Sequence, residues 1–182
     1  MPAVRLVTFR DPSGTERVGE LAGETVRELG APTMLCWLAG EGREPSGAEH
    51  ALAGVELLAP VPEPPSVRDF FTYEGHVAAG WRRRGSDIPP AWYAAPVFYF
   101  SNPLRIFGPD ETVPYPAASQ RLDYELELGA VIGRDGSDIL EAEAEPYIAG
   151  FTILNDWSCR DLQTDEMKFG LLFRAQDPPD SK

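Results

Sequence analysis

Residues 121–133, Arg-Leu-Asp-Tyr-Glu-Leu-Glu-Leu-Gly-Ala-Val-Ile-Gly, constrain the chain more than any other stretch. Side chains alternate between the two faces of a strand. One extended run therefore puts Leu122, Tyr124, Leu126 and Leu128 on one side and Asp123, Glu125 and Glu127 on the other. The apolar side suits a core. The acidic side has two readings. It is the solvated face of a half-buried strand, or it is part of a site for a hard divalent cation such as Mg²⁺ or Ca²⁺, which takes several oxygen ligands. Carboxylates on one strand do not separate these readings, so further ligands have to be found elsewhere in the chain.

Charge and cysteine usage narrow the function classes. The formal net charge of the 182-residue chain is -13, which argues against binding a phosphate backbone, an activity that needs clustered Lys and Arg. A chain of this length makes one domain, or one with a small attachment, and buries roughly 70% of its unfolded surface. Cys36 and Cys159 are far apart and form neither a disulfide framework nor a zinc spacing, so a reducing cytoplasm is the expected location. The N-terminal Met-Pro-Ala-Val-Arg-Leu-Val has no basic segment followed by a long apolar one, so no signal peptide is expected. No apolar run approaches the roughly 18 residues of a membrane span.

Taken in order, residues 4–10 alternate as a strand, and Asp11-Pro-Ser-Gly14 has the residue chemistry of a turn. Residues 17–23 return as a second strand, giving a hairpin. Residues 33–39 read as a short helix and residues 55–61 as another strand. Pro62-Glu-Pro-Pro-Ser66 then breaks the pattern, because proline removes backbone donors and biases its predecessor toward extended forms. This predicts a small β-rich module over residues 1–62 and a larger domain over 67–182.

In the larger domain residues 74–84 read as a helix, with Val77 and Trp81 on one face and Arg82, Arg83 and Arg84 at its negative end. Gly85 to Trp92 is a loop and a candidate lid. Residues 96–100 form a strand, Asp135-Gly136 a tight turn, and residues 141–145 a short acidic helix. Residues 147–154 form an apolar strand that delivers Asn155 and Asp156. The whole is β-rich α+β.

A carboxylate ending an apolar strand, as Asp156 does, needs a partner: Arg160, a hydrogen bond or a metal. Asp69 has a bland role as a helix cap, and His76 one as a helix-surface residue. These groups occur together in a recognisable order, however. Asp69-Phe-Phe-x-x-x-x-His76, Pro96-Val-Phe-Tyr-Phe-Ser-Asn-Pro103, Asp123-Tyr-Glu-Leu-Glu-Leu128, Val131-Ile-Gly133 and Asn155-Asp-Trp-Ser-x-Arg-Asp-x-Gln163 together resemble the fumarylacetoacetate hydrolase family. The resemblance covers residues 67–182 and is looser over the N-terminal module.

That resemblance implies a β-roll preceded by the small module. It implies that Asp69, Glu125, Glu127 and Asp156 ligate one divalent cation, Mg²⁺ or Mn²⁺ first and Ca²⁺ next. His76 matches the family's water-activating base. Tyr99, Gln163 and Lys182 match positions that meet substrate or the developing anion, and Arg160 lies in the same motif as a substrate-binding candidate. Asp123 matches no ligand. The implied activity is a hydrolase that cleaves a carbon–carbon bond in a 1,3-diketo or acylpyruvate-type acid of aromatic catabolism, working as a homodimer on small molecules, with neither nucleic acid nor membrane as partner.

Two departures bear on these expectations. Smaller family members carry a Glu three residues after the histidine, where this chain has Ala79; Glu74, close in sequence, or an acid from further along the chain is the expected substitute. The family also continues past the lysine that Lys182 matches, so the expected roll lacks its C-terminal part. Decarboxylase, isomerase or hydratase chemistry on a 2-oxo acid at the same metal site stays open, as does a non-catalytic fragment or partner subunit of this fold.

Overall fold

A computed structural model describes residues 4–168. The first five strands, β1 (Leu6–Arg10), β2 (Glu16–Ala22), β3 (Thr25–Leu29), β4 (Pro45–Ala51) and β5 (Glu56–Leu57), form one sheet in the order β4-β3-β2-β1-β5. The predicted hairpin is β1–β2, antiparallel with Thr8 opposite Val18. Its turn is organised by Asp11, whose Oδ1 accepts from the Ser13 and Thr15 N–H groups at 2.8 and 3.0 Å, while Gly14 takes φ +86°, a conformation that costs other residues a Cβ clash. β3 and β4 were not predicted. Their sequences mix charged, small and apolar residues without alternation, and the pairing with β2 and with each other makes them strands.

The deepest packing lies against this sheet. Thr8, Phe9, Val18 and Val26 are wholly buried. The predicted helix α1 (Met34–Leu38) is capped by Thr33, whose Oγ1 accepts from Cys36 N at 3.2 Å, and it sets Met34 against Val18, Leu29 and Ala31. The Thr8 hydroxyl, buried among them, is satisfied by the Pro60 carbonyl at 2.7 Å.

Beyond the proline-rich segment the strands pair two by two. β6 (Val67–Phe70) pairs with β7 (Phe98–Ser101), and between them lie α2 (Glu74–Arg83) and α3 (Pro90–Ala94). α2 buries Val77, as its predicted face requires. β8 (Leu122–Asp123) pairs with β11 (Ser158–Cys159), and β9 (Leu126–Ile132) with β10 (Ile148–Asn155); α4 (Arg160–Met167) follows directly.

The predicted 121–133 strand is broken at Tyr124–Glu125, between β8 and β9. A larger correction concerns its faces. Leu126 and Leu128 are 74% and 75% exposed, and Ile153, which pairs opposite Leu128 on β10, is 78% exposed, whereas Glu127 is half-buried. The alternation is as expected, but the carboxylate side faces inward. Asp135-Gly136 makes no tight turn either. Residues 133–147 form a longer connection with 3₁₀ turns at Glu141–Glu143 and Glu145–Tyr147, closed by Gly133 N–H to the Tyr147 carbonyl at 2.9 Å. Gly136 is needed there because a Cβ would stand 2.5 Å from the Tyr147 ring.

These placements set opposite costs for two apolar truncations. Phe9→Ala should lower the unfolding free energy by about 3–5 kcal/mol, and Leu128→Ala should leave it within about 0.5 kcal/mol, as measured by urea unfolding. A core-sized cost for Leu128 would mean that its face is covered.

Candidate metal centre

Two ribbons bring the acidic groups together. In β6–β7 Asp69 stands directly opposite Tyr99, and directly opposed residues share a face. Both are half-buried, while the alternate residues Arg68, Phe70, Phe98 and Phe100 are exposed. Glu127 comes from the inward side of β9. Asp156 follows β10, and its main chain extends the ladder: Asp156 N–H donates to the Glu125 carbonyl at 2.9 Å and Glu125 N–H returns to the Asp156 carbonyl at 3.1 Å. The Asn155 side chain adds an acceptor for Glu125 N–H at 3.1 Å.

Asp69, Glu127 and Asp156 each offer an oxygen, and these oxygens lie within 4.8 Å of one another. The Tyr99 hydroxyl donates to Asp156 Oδ2 at 2.9 Å. Burial, then the charges of Asp69, Asp156 and Glu125, push the Glu127 carboxyl up to about 8. Burial raises Asp69 as well, with the hydrogen bonds it accepts from Tyr99 and from Glu127 opposing it. Tyr99 is held far above its ordinary range, by burial first and by the facing Asp156 and Asp69 next. A positive charge placed among half-buried carboxylates that repel one another relieves that repulsion. A hard divalent cation fits the donor set, which is all oxygen and already converged.

Glu125 is placed differently. It forms an ion pair with Arg160 Nη1, and the same guanidinium donates through Nε to Asp123 Oδ2 at 3.0 Å and through Nη1 to Gln163 Oε1 at 3.3 Å. Arg160 holds the Asp123 carboxyl below its usual range, which accords with a structural role for Asp123. Asp161 next door ties the approach to β8 onto the start of α4. It accepts from Ser119 Oγ and Gln120 N–H, both at 2.7 Å. Sequence reasoning passed over Asp161, and the Asn-Asp-Trp-Ser-x-Arg-Asp run was the signal that contained it.

His76 lies on the exposed side of α2 with its ring edge-on to Phe71, centroids 5.7 Å apart. Glu74 accepts from the Tyr93 hydroxyl at 2.8 Å, and residues two apart on a helix do not face each other. A cleft of about 320 Å³ between α2 and the 86–93 segment is lined by Glu74, Arg82, Asp87 and Tyr93 among others. The predicted 85–92 loop is partly helical, and Trp92 Nε1 anchors it to the Phe71 carbonyl at 2.8 Å. Lys182 lies outside the described residues.

The family model described as fumarylacetoacetate (FAA) hydrolase, C-terminal, matches residues 65–178, and a second, described as Rv2993c-like, N-terminal, matches residues 4–60. The fumarylacetoacetase of Oryza sativa subsp. japonica is 32% identical over 135 residues, covering 63% of this chain and 31% of that protein. The oxaloacetate tautomerase YisK of Bacillus subtilis is 31% identical over 129 residues, covering 66% and 39%. The crystal structure of 2-hydroxyhepta-2,4-diene-1,7-dioate isomerase from Mycobacterium marinum superposes with a TM-score of 0.70 at 28% identity, covering 96% of this chain and 61% of that one. The chain thus matches less than two-fifths of the length of either curated relative.

The raised carboxyl of Glu127 fixes the sign of a pH effect. The folded state binds a proton that the unfolded chain has released above 4.5, so this contribution to stability is full below 4.5 and is lost as pH rises through about 8. With divalent ions chelated, the melting temperature should fall from pH 5 to pH 8, and Glu127→Gln should flatten the fall. A profile that the substitution leaves unchanged would place the pH dependence elsewhere.

Proposed function

The chain belongs to the fumarylacetoacetate hydrolase family, and from that membership and the converging carboxylates we propose a divalent-cation-dependent hydrolase that cleaves a carbon–carbon bond in a 1,3-diketo or acylpyruvate-type acid. Its catalytic part is the 67–182 domain, with residues 1–62 as a separate module. Members of the family act on small molecules, and a cytoplasmic homodimer is part of the same proposal. The observation that carries it is that Asp69 on β6, Glu127 on β9 and Asp156 just after β10 bring oxygens within 4.8 Å of one another.

In this proposal Asp69, Glu127 and Asp156 hold the cation, with Glu125 as the fourth carboxylate. Mg²⁺ or Mn²⁺ suits such a set, and Ca²⁺ comes next. The bound cation supplies Lewis-acid polarisation of a carbonyl oxygen. Tyr99 keeps its proton, because its hydroxyl faces carboxylates, and so orients Asp156 as a donor. His76 takes a proton from water, whose oxygen bonds to the substrate carbonyl carbon. The carbon–carbon bond breaks with its electron pair on the departing carbon as an enolate, which is then protonated. Gln163 and Arg160 offer polar contacts to the substrate or to that anion, and Lys182 is the expected ammonium beside it.

A second activity has a specific basis. Two similar proteins are described as a tautomerase and an isomerase, and the position three after His76 is Ala79, which carries no acid. Tautomerisation or isomerisation moves protons and needs no attacking water.

A panel of acylpyruvates and oxaloacetate, assayed with Mg²⁺ or Mn²⁺, separates these chemistries by product. The proposal expects two acids from each cleaved acylpyruvate, loss of turnover with chelator, and loss in Asp156→Ala with the fold retained by circular dichroism. Interconversion of enol and keto forms without cleavage would replace hydrolysis with tautomerisation.

A further inference from the structure

We propose that Arg160 competes with the cation for Glu125, so that this side chain sets the affinity of the metal centre. The inference rests on the cation reading above and adds a residue that tunes it. Among the four acids, Asp69, Glu127 and Asp156 are gathered, and Glu125 is drawn off by the Arg160 guanidinium. The main chain of Glu125 is fixed by its reciprocal bonds with Asp156. Only its side chain has to turn to bring a carboxylate to the cluster.

Arg160 has somewhere to remain when Glu125 leaves. Its Nε stays on Asp123 Oδ2 at 3.0 Å, and the Nη1 that serves Glu125 also reaches Gln163 Oε1 at 3.3 Å. Arg160 is anchored from below as well, since its N–H donates to the Arg121 carbonyl at 2.9 Å and it begins α4. The guanidinium is therefore held in place whether or not Glu125 is paired with it. A guanidinium and a divalent cation are like charges, so they cannot both sit on one carboxylate without repulsion at close range. In the absence of a cation Arg160 supplies the counter-charge for Glu125; a cation has to displace that ion pair to gain its fourth carboxylate.

The competition is read by Mn²⁺ binding to the full chain at pH 7.5, followed by titration calorimetry, in the parent, Arg160→Gln, Glu125→Gln and the double variant. Arg160→Gln should bind Mn²⁺ about tenfold more tightly, a shift within the range that residues around a metal site exert. With Glu125 replaced by Gln, the same Arg160 substitution should change affinity less than about twofold. Equal or weaker binding in Arg160→Gln overturns the proposal, because it makes Arg160 an orienting partner. Tightening that survives Glu125→Gln also overturns it, because it makes the effect one of general charge. Arg160→Lys keeps the charge and loses the planar fork; it should shift affinity in the same direction by less, and it carries the test if Arg160→Gln fails to fold. Mn²⁺ binding by the parent that Asp156→Ala abolishes and Arg160→Gln leaves unmoved would overturn this inference alone. Absence of Mn²⁺ binding in every variant would overturn the cation reading and this inference with it.

Discussion

The repulsion among three half-buried carboxylates is the interaction on which the rest of this structure turns. Oxygens of Asp69, Glu127 and Asp156 approach within 4.8 Å of one another. A set of charges like this is unfavourable in the folded chain unless protons or a cation neutralise it. The surrounding contacts lessen the cost only in part. Tyr99 gives Asp156 one hydrogen bond, and Asp69 shares one with Glu127. The Arg160 guanidinium is committed to Glu125 and Asp123.

Two ribbons hold the acids in this position, and each does so at the expense of its outer face. β6–β7 turns Asp69 and Tyr99 inward and leaves Phe70, Phe98 and Phe100 exposed. β9–β10 turns Glu127 inward and leaves Leu126, Leu128, Phe151 and Ile153 exposed. The polar groups are inside and the apolar ones outside, the reverse of an ordinary half-buried ribbon. The well-packed apolar interior lies instead against the first sheet, around Phe9, Val18 and Val26. The stability of the chain and the geometry of its acidic centre thus rest on different parts of the fold.

Much of this was legible from the sequence. Alternation put Glu125 and Glu127 on one side of a strand, turn chemistry marked the β1–β2 hairpin, and the spacing of Val77 and Trp81 marked α2. The family resemblance joined Asp69, Glu127 and Asp156 across a separation of 87 positions from first to last. Alternation defines two faces without saying which is buried, so the exposure of Leu126 and Leu128 was not visible in it. The ion pair of Glu125 with Arg160, 35 residues apart, was equally hidden. Local pattern carries no information on which of several acids an arginine will meet. β3 and β4 are strands because their neighbours pair with them, a tertiary effect that their own residues do not announce.

The central claim is that the inward carboxylates make one saturable cation site, and electron paramagnetic resonance of Mn²⁺ tests it directly by separating bound from free ion. The account predicts one tightly bound Mn²⁺ per chain, lost in Asp156→Ala and retained in a control that removes an exposed acid such as Glu63. A chain of net charge -13 attracts cations diffusely as well. Several weakly held ions that persist in Asp156→Ala would contradict the account and return the acidic strand to an ordinary charged face.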